Sequence, residues 1–476
     1  MTTKKIFHGR IEGKIAFMVA GLTSGSGKTT ITQGILSILV TKGLRVRSFK
    51  LGPDYIDSAY HAKLTGNPCI NLDKFLMTPY GKEDKGSNIL KDVFSSYLHE
   101  SDALVVEAVG GIFDDWNNDG NNPAQIAIDI ELPVILVADG YSYCQTLGIM
   151  LNSVLEYNKK LQIEGVLINR IACEKQFYKI LETMRPEIKS KVIGFVPNDN
   201  NLFIEERHLG LITERESDCP SARVEYLAKK FLNTISEEFL TGLKFKCHVN
   251  PNPILTLPSA KKLCKIAVGR DKAFSFYYQY NLDFLEKLGA DLFFFSPLKD
   301  KNLPDDIDAL YLGGGFPEVY ASSLENNSSL ALQIKTMALN GMPIYAECGG
   351  LIYLSEKIQE YQSDKMAMGV GILPLKIFMG NKLTLSYATG KLLKDSFIGE
   401  KGDVIKGHLF HQSDAVELRK IDKVCEMQSP DGQIKIIEGF CLRNVYASYL
   451  HIHFMGCPKV AEMIVRKASE YHSRNH

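Results

Sequence analysis

A glycine-rich turn near the N-terminus separates an apolar run from a segment with helical spacing. The turn covers residues 21–30 and reads Gly-Leu-Thr-Ser-Gly-Ser-Gly-Lys-Thr-Thr. Residues 15–20 before it are all apolar and predict a buried strand, whereas Ile31, Ile35 and Ile38 after it are spaced as on a helix. A glycine turn that leads into a helix N-terminus directs backbone N–H groups at an anion. The stretch therefore predicts a phosphate site.

The side chains of this turn fit a nucleotide that carries Mg²⁺. Lys28 is the only charged residue of the turn and can neutralise the β- and γ-phosphates, and the Thr29 hydroxyl can bind Mg²⁺. Five residues rather than four separate Gly21 from Gly27, so a turn that only connects strand and helix is the alternative. The run Gly-Lys-Thr-Thr at the helix start favours the nucleotide. The residues expected to bind it are Gly25, Ser26, Gly27, Lys28, Thr29 and Thr30.

Composition and charge exclude several classes of function. A chain of 476 residues is too long for one ordinary core and predicts two or three domains. Lys plus Arg and Asp plus Glu both number 55, so no general charge attracts nucleic acid or an acidic membrane. We find no apolar run that could span a bilayer and no stretch that resembles a signal peptide. The ten cysteines are scattered without zinc spacing, which favours reduced thiols and a cytoplasmic protein.

Two acidic residues follow the second predicted strand, residues 45–50. The sequence Leu-Gly-Pro-Asp-Tyr-Ile-Asp breaks this strand and places Asp54 and Asp57 just beyond its end. Carboxylates at that position fit a site at the carboxyl edge of a parallel sheet. The alternative is that Asp54 caps a helix and Asp57 is solvated.

Glu107 ends a third predicted strand, residues 103–107. A carboxylate at the end of a strand near a phosphate loop is the usual position for a residue that binds Mg²⁺, directly or through water. The alternative is an acidic residue that is paired for structural reasons only. Further apolar runs, with helical patterns between most of them, predict a doubly wound parallel sheet. These runs are residues 133–139, 165–170 and 191–197.

The second half of the chain begins a new alternation of strands and helices. We expect a domain over residues 1–240, a linker over residues 241–263 without either periodicity, and a second α/β domain over residues 264–476. In the second domain a predicted strand runs into Gly-Gly-Gly-Phe-Pro-Glu. Glycines at a strand end let backbone amides approach a substrate closely, so Gly314 and Gly315 are candidates for an oxyanion hole.

Cys348 lies in a pattern typical of a nucleophile elbow. The sequence Ile-Tyr-Ala-Glu-Cys-Gly-Gly-Leu reads as a strand, a sharp turn and a helix, and the helix N-terminus is expected to favour the thiolate. The alternative is a structural cysteine. A cysteine nucleophile needs a base, and spacing alone does not choose among the four candidate histidines. These are His408, His411, His451 and His453.

These motifs together resemble those of the cobyrinic acid a,c-diamide synthases, the ATP- and glutamine-dependent amidases of corrin-ring biosynthesis. The resemblance extends over nearly the whole chain, and the spacing of the phosphate loop matches that of dethiobiotin synthetase-like loops. It implies an α/β protein with an N-terminal phosphate-loop, dethiobiotin synthetase-like parallel-sheet domain and a C-terminal class I-type glutamine amidotransferase domain. The segments that carry it are residues 21–30, 50–57, 71–73, 206–211, 313–318, 347–350 and 447–454.

The resemblance also implies roles for single residues. The amidation site would include Asp54, Asp57, Asp114 and Glu107. Glu107 would also bind the metal ion, together with Thr29. Cys348 would be the glutaminase nucleophile, and His451 its base. ATP is the implied co-substrate and Mg²⁺ the implied cofactor. The γ-phosphoryl group of ATP would activate a tetrapyrrole carboxylate, and glutamine would supply ammonia.

Four alternatives remain open at this point. The chain could instead be a nickel-sirohydrochlorin or a hydrogenobyrinic acid a,c-diamide synthase. It could be a cobyric acid synthase, although the stretch at residues 52–57 favours the a,c-enzyme. It could also be a partition-type ATPase without amidase activity, although residues 264–476 and the neutral net charge argue against this. The expected partners are a tetrapyrrole polycarboxylate, L-glutamine and ATP, with neither nucleic acid nor a membrane. The oligomeric state is open, with a homodimer as one alternative.

Overall fold

The structure is a computed structural model, and it describes residues 13–115, 122–199, 202, 220–244 and 261–475. Two of the sequence predictions fall elsewhere. The middle of the predicted linker, residues 245–260, lies outside the described residues, and so does the motif at residues 206–211. No helix in the described ranges combines the length and the apolar character that a membrane span requires.

The described residues form two compact units. The first draws on Met1–Lys74 and Asp84–Thr256, and the second draws on Phe75–Glu83 and Leu257–His476. The short segment Phe75–Glu83 thus groups with the C-terminal unit, although it lies within the predicted N-terminal domain. The ring of its first residue packs 4.8 Å from the ring of Tyr387, measured between centroids.

The first unit contains, within its described part, a sheet of seven strands in which all neighbours are parallel. The strands are β1 (Ile15–Gly21), β2 (Val46–Leu51), β3 (Ile70–Leu72), β4 (Ala103–Gly111), β5 (Val134–Asp139), β6 (Ile163–Ile171) and β7 (Val192–Pro197). They lie in the order β3-β2-β4-β1-β5-β6-β7. Every residue of the central strand β1 is buried, as expected for a parallel strand covered on both faces. The predicted parallel sheet is confirmed.

Helices connect these strands. The helix after the glycine turn begins at Lys28, and the predicted apolar positions Ile31, Ile35 and Ile38 are fully buried. The helices are α1 (Lys28–Thr41), α2 (Tyr55–Thr65), α3 (Lys74–Met77), α4 (Gly86–Ser96), α5 (Pro123–Asp129), α6 (Gln145–Tyr157), α7 (Glu174–Leu181), α8 (Pro186–Lys189), α9 (Pro220–Leu232) and α10 (Glu237–Gly242), with a short 3-10 turn at Glu83–Lys85.

The second unit has a large mixed sheet. The strands are β8 (Cys264–Gly269), β9 (Ala290–Phe295), β10 (Ala309–Leu312), β11 (Ile344–Glu347), β12 (Ser355–Gln359), β13 (Met366–Met368), β14 (Leu373–Leu392), β15 (Val404–Glu417), β16 (Asp422–Gln428), β17 (Lys435–Leu442), β18 (Val445–Ser448) and β19 (Leu450–Ile452). The parallel part of the sheet has the order β18-β11-β10-β8-β9, and β15 pairs with both β14 and β19.

Helices of the second unit pack around the parallel part of this sheet. They are α11 (Gln279–Lys287), α12 (Ala321–Asn326), α13 (Ser328–Leu339), α14 (Gly349–Leu354) and α15 (Pro458–Asn475). The α/β alternation predicted from residue 264 is present up to α14. Beyond it the chain continues mainly as antiparallel strands, because long hairpins such as that of β14 and β15 pair strands without an intervening helix. The sequence pattern did not indicate this antiparallel extension.

Candidate active sites

The glycine-rich turn between β1 and α1 has the backbone conformation that its glycines predict. Gly25 and Gly27 have φ angles of 73° and 85°, in the left-handed region that favours glycine. A Cβ atom on Gly27 would lie 2.2 Å from Nδ2 of Asn169, and this Nδ2 donates a hydrogen bond to the Ser26 carbonyl oxygen at 3.0 Å. The loop is thus held by the end of β6. Ser26 and Thr30 are both buried in it.

Lys28 lies at the start of α1 with its ammonium group directed at the end of β4. Its Nζ donates a hydrogen bond to the Gly110 carbonyl oxygen at 2.7 Å. Burial, and after it the charge of Lys50, lower the pKa of Lys28. The loop, the helix N-terminus and the lysine are therefore brought together in the arrangement that a nucleotide phosphate requires.

A buried cluster of charges adjoins the loop and contains Lys50, which the sequence analysis did not single out. The Lys50 Nζ lies 2.6 Å from Asp57 Oδ2 and 2.7 Å from Glu107 Oε1. The Thr29 hydroxyl lies within hydrogen-bond distance of the same two oxygens, at 3.1 Å and 2.9 Å. Lys50 is only 3% exposed. Because it shares these partners with Thr29 of the phosphate loop, it is a second cation close to the predicted phosphate site. Its register opposite Glu107 in the β2–β4 pair is a signal that a sheet prediction could have used.

The two carboxylates of this cluster have opposite pKa shifts. Burial and the neighbouring charge of Glu107 raise the pKa of Asp57 to about 7, against the opposing effect of Lys50. Burial also acts to raise the pKa of Glu107, but Lys50 and His61 outweigh it and hold this pKa well below its usual range. Glu107 is therefore the lasting negative charge of the cluster.

His61 is a further residue that the sequence analysis missed. Its ring is fully buried, and Nε2 lies 2.6 Å from Oε2 of Glu107. His61 follows Asp57 by four residues on α2, so both side chains lie on one face of that helix. That spacing was the available signal. The contact occupies the oxygen of Glu107 that does not contact Thr29 and Lys50, and so sets the orientation of the carboxylate.

We expect His61→Phe to destabilise the first unit by about 2 to 3 kcal/mol, since one oxygen of a fully buried carboxylate then loses its partner. Phenylalanine has a similar size, so the lost hydrogen bond dominates over any cavity. The measurement is the shift of the urea unfolding midpoint. His99→Phe is the matched control because His99 is exposed. Equal stability of the two variants would contradict this role of His61.

Asp54 and Asp114 have local backbone partners. Asp54 caps α2, because its Oδ1 accepts hydrogen bonds from the N–H groups of Ile56 at 2.9 Å and Asp57 at 3.0 Å. The capping alternative thus describes Asp54, whereas Asp57 is not solvated but belongs to the buried cluster. Asp114 accepts a hydrogen bond from the Gly111 N–H at 2.8 Å and closes the turn after β4.

The side-chain oxygen atoms of Thr29, Asp57 and Glu107 are the ligands that could hold Mg²⁺. These atoms lie close together, because one oxygen of Asp57 and one of Glu107 both contact Lys50 and the Thr29 hydroxyl. No cluster of three or more His, Cys, Asp or Glu side chains suited to a metal occurs in the described ranges. Mg²⁺ is typically held by one or two carboxylates together with phosphates and water, and Asp57 and Glu107 are two such carboxylates. The residues present fit the ion.

In the second unit, Cys348 occupies a sharp turn between β11 and α14. Its φ and ψ angles are 44° and −95°, a strained conformation for a residue with a side chain. The Cys348 N–H donates to the Ser448 carbonyl oxygen at 2.7 Å, and Sγ lies 3.5 Å from the carbonyl oxygen of Phe410. This is the geometry expected of a nucleophile elbow.

The protonation state of the Cys348 thiol differs from the sequence expectation. Burial and then the negative charge of Glu318 raise the pKa of Cys348, whereas the Gly349 N–H acts in the opposite direction and does not offset them. Helix α14, with six residues, is also short. The expected lowering of the pKa is therefore wrong for the protein without substrate, because desolvation dominates.

The glycine loop after β10 meets the nucleophile turn. A Cβ atom on Gly349 would lie 3.0 Å from the Gly315 backbone nitrogen, and a Cβ atom on Gly314 would lie 2.4 Å from Cε1 of His451. The Gly314 N–H donates to the Phe276 carbonyl oxygen at 3.2 Å in an isolated β-bridge. This N–H is thus engaged elsewhere, and of the two predicted oxyanion donors it is Gly315 whose backbone nitrogen lies next to the turn that carries the nucleophile.

The four candidate histidines have different surroundings. His451 is opposite His408 in the β15–β19 pair, and their rings stack with centroids 4.8 Å apart. Burial lowers the pKa of His451 to about 3, so its ring is neutral at neutral pH in the protein without substrate. His453 instead packs against Tyr278, and His411 stacks on Tyr449. Its place beside the glycine loop favours His451 as the base.

Comparisons with known proteins agree with both halves of this description. A model for the CobQ/CobB/MinD/ParA nucleotide binding domain matches residues 17–212, and one for the CobB/CobQ-like glutamine amidotransferase domain matches residues 265–458. The cobyrinate a,c-diamide synthase of Caldanaerobacter subterraneus is 36% identical over 443 residues, which cover 92% of this chain and 94% of the relative. The chain belongs to the cobyrinate a,c-diamide synthase family.

Other members of the cobyrinate a,c-diamide synthase family match over a similar length. The Streptococcus sanguinis protein is 38% identical over 92% of this chain and 95% of its own, and the Salmonella typhimurium protein is 32% identical over 94% and 96%. The chain is therefore an enzyme of the amidotransferase ligase class, with a nucleotide-binding domain and a glutamine amidotransferase domain. The predicted family and fold class are confirmed. The roles of single site residues stay predictions.

Proposed function

We propose that this enzyme amidates the a and c side-chain carboxylates of cobyrinic acid in cobalamin biosynthesis, with ATP and glutamine as co-substrates. The observation that carries the proposal is the hydrogen-bonded set of Thr29, Asp57, Glu107 and Lys50 at the phosphate loop of a chain from this family. We place the reaction in the cytoplasm, with small molecules as partners and neither nucleic acid nor a membrane.

In the first unit, the γ-phosphoryl group of ATP passes to a ring carboxylate and forms an acyl phosphate. Lys28 and the N-terminus of α1 stabilise the negative charge that develops on the phosphates. Thr29 and Glu107 would hold Mg²⁺, whose positive charge would reduce the repulsion between the acceptor carboxylate and the triphosphate. Lys50 keeps Asp57 and Glu107 in one place, and His61 fixes the second oxygen of Glu107.

In the second unit, Cys348 attacks the side-chain amide of glutamine. His451 accepts the thiol proton and passes it to the departing nitrogen, which leaves as ammonia with a γ-glutamyl thioester behind. The Gly315 N–H stabilises the oxyanion, and water then releases glutamate. Ammonia displaces phosphate from the acyl phosphate to give the amide. The same sequence repeats at the second carboxylate.

The identity of the ring is tested by product analysis. The purified protein is incubated with ATP, Mg²⁺ and glutamine and with cobyrinate, hydrogenobyrinate or nickel-sirohydrochlorin, and the products are identified by mass spectrometry. We expect two amidations of cobyrinate. Amidation of nickel-sirohydrochlorin or hydrogenobyrinate alone would assign the enzyme to that ring instead. ATP hydrolysis without any amide product would favour the partition-type ATPase.

We expect Asp54→Asn and Asp57→Asn to retain nucleotide binding and glutamine hydrolysis and to lose ring amidation. Asparagine is as good a helix cap as aspartate, so Asp54→Asn removes a charge and leaves α2 capped. Asp57→Asn removes the carboxylate that Thr29 and Lys50 share with Glu107. The measurement is amide formation by mass spectrometry beside the ATP dissociation constant of each variant.

Asp139→Asn is the matched control for these two variants, because Asp139 is the last residue of strand β5 in the first sheet but pairs with Arg170 instead. Its amidation rate should stay near that of the unmodified protein. If both variants amidate the ring twice at the normal rate, Asp54 and Asp57 have only a structural role in the local turn.

A further inference from the structure

Glu318 is a buried carboxylate that the mechanism above does not use. Glu318 is the last residue of the sequence Gly-Gly-Gly-Phe-Pro-Glu, which contains the glycine loop, and it is only 6% exposed. Its Oε2 atom is buried and has no hydrogen-bond partner among the described residues. A buried carboxylate oxygen without a partner is costly and is normally satisfied by a ligand or an ion.

The backbone holds Glu318 rigidly next to the nucleophile turn. A Cβ atom on Gly349 would lie 3.1 Å from Cδ of Pro317, so the residue before Glu318 touches the residue after Cys348. The Glu318 carbonyl oxygen accepts a hydrogen bond from the Tyr361 N–H at 3.1 Å. These two contacts tie the backbone around Glu318 to the nucleophile turn and to the segment at Tyr361.

The charge of Glu318 acts on the groups of this site. After burial, it is the largest cause that raises the pKa of Cys348, and it also raises the pKa of Tyr449. The described part of the chain contains no ion pair that includes Glu318. Burial raises the pKa of Glu318 itself to about 7. In its ionised form Glu318 opposes thiolate formation at Cys348, so its presence requires a reason other than activation of the free enzyme.

We propose that Glu318 binds the α-ammonium group of glutamine and thereby selects this amino acid over simple amides. The inference rests on the proposed use of glutamine at Cys348. Glutamine carries one cation, and that cation lies a few bonds from the amide that the nucleophile attacks. An ammonium group donates a hydrogen bond to the carboxylate oxygen and satisfies the atom that has no partner in the protein.

This contact has a consequence for the nucleophile. When the ammonium group offsets the charge of Glu318, the opposition to thiolate formation at Cys348 is removed, so the thiol becomes easier to deprotonate as glutamine binds. No covalent step is added, because the proton still passes to His451. Glutamine would then both occupy the site and activate the thiol.

The test compares glutamine with glutaramate, the analogue in which a hydrogen replaces the α-amino group. Ammonia release from both amides is measured for the full-length protein and for Glu318→Gln. We expect the unmodified protein to prefer glutamine in kcat/KM. We expect Glu318→Gln to lose roughly 10- to 100-fold of that preference, mainly through a higher KM for glutamine.

Glu325→Gln is the matched control, since Glu325 lies on the following helix and accepts a hydrogen bond from the Met368 N–H. Its preference should equal that of the unmodified protein. A Glu318→Gln variant that loses activity on both amides by one factor, with the preference unchanged, would overturn the inference and leave the proposed function standing.

The unmodified protein also gives a test that needs no variant. If it releases ammonia from glutamine and glutaramate equally well, the α-ammonium contact does not exist, even if Glu318→Gln fails to fold. If it releases ammonia from neither amide while it amidates the ring with added ammonia, the proposed use of glutamine itself fails, and the inference fails with it.

Discussion

Lys28→Ala is expected to lower ring amidation about a thousandfold or more, with glutamine and with added ammonia alike. Lys28 carries the only charge of the phosphate loop, and its ammonium group lies 2.7 Å from the Gly110 carbonyl oxygen. Lys50 is a second cation nearby, but Asp57 and Glu107 bind it at 2.6 Å and 2.7 Å, so it is not free to replace Lys28. The measurement is the rate of amide formation with each nitrogen source.

Lys159→Ala is the matched control for Lys28→Ala, because Lys159 is exposed in the same unit. It should amidate at the unmodified rate. A Lys28→Ala protein that keeps near-full activity with ammonia would refute activation of the carboxylate by ATP at this loop. The glutaminase rate without ring substrate serves as an internal check that the second unit is folded.

Cys348→Ala is expected to abolish the use of glutamine and to leave amidation with added ammonia intact. The thiol lies at a strained turn, and the glycine loop and His451 adjoin this turn. No other cysteine of the described ranges has φ in the left-handed region, so none presents its sulfur in the same way. The measurements are glutamate release from glutamine and amide formation with ammonium chloride.

The control for Cys348→Ala is Cys264→Ala, since Cys264 is also buried and its thiol contacts the Val465 carbonyl oxygen. This variant should remain active with both glutamine and ammonia as nitrogen source. If a folded Cys348→Ala protein loses its activity with glutamine and with ammonia equally, Cys348 is not a dedicated glutaminase nucleophile.

Local sequence determined the elements that depend on short-range physics. The glycine turn, the strand before it and helix α1 follow from residues close together in the chain, because left-handed φ angles and helical spacing are local properties. The turn at Cys348 followed from its neighbours in the same way. These predictions needed no knowledge of distant contacts.

Tertiary structure alone decided the partners of these residues. His61 and Glu107 are 46 residues apart, and only the order of strands β2, β4 and β1 brings helix α2 to Glu107. Glu107 lies in the middle of β4 and not, as the sequence predicted, at its end, because the strand continues to Gly111. Likewise, the Gly314 N–H is occupied by Phe276, a contact that spacing does not indicate. The antiparallel extension from β12 onwards was missed for the same reason, since strand pairing depends on long-range register.

The protonation states show the same division. The sequence placed Cys348 before a helix and predicted a thiolate, which is correct reasoning for an exposed turn. In the folded unit the surrounding chain buries the thiol and brings Glu318 beside it, and both effects favour the protonated form. The sequence by itself determined which groups are present, and the tertiary structure decided their charge, because desolvation depends on how completely the rest of the chain excludes water.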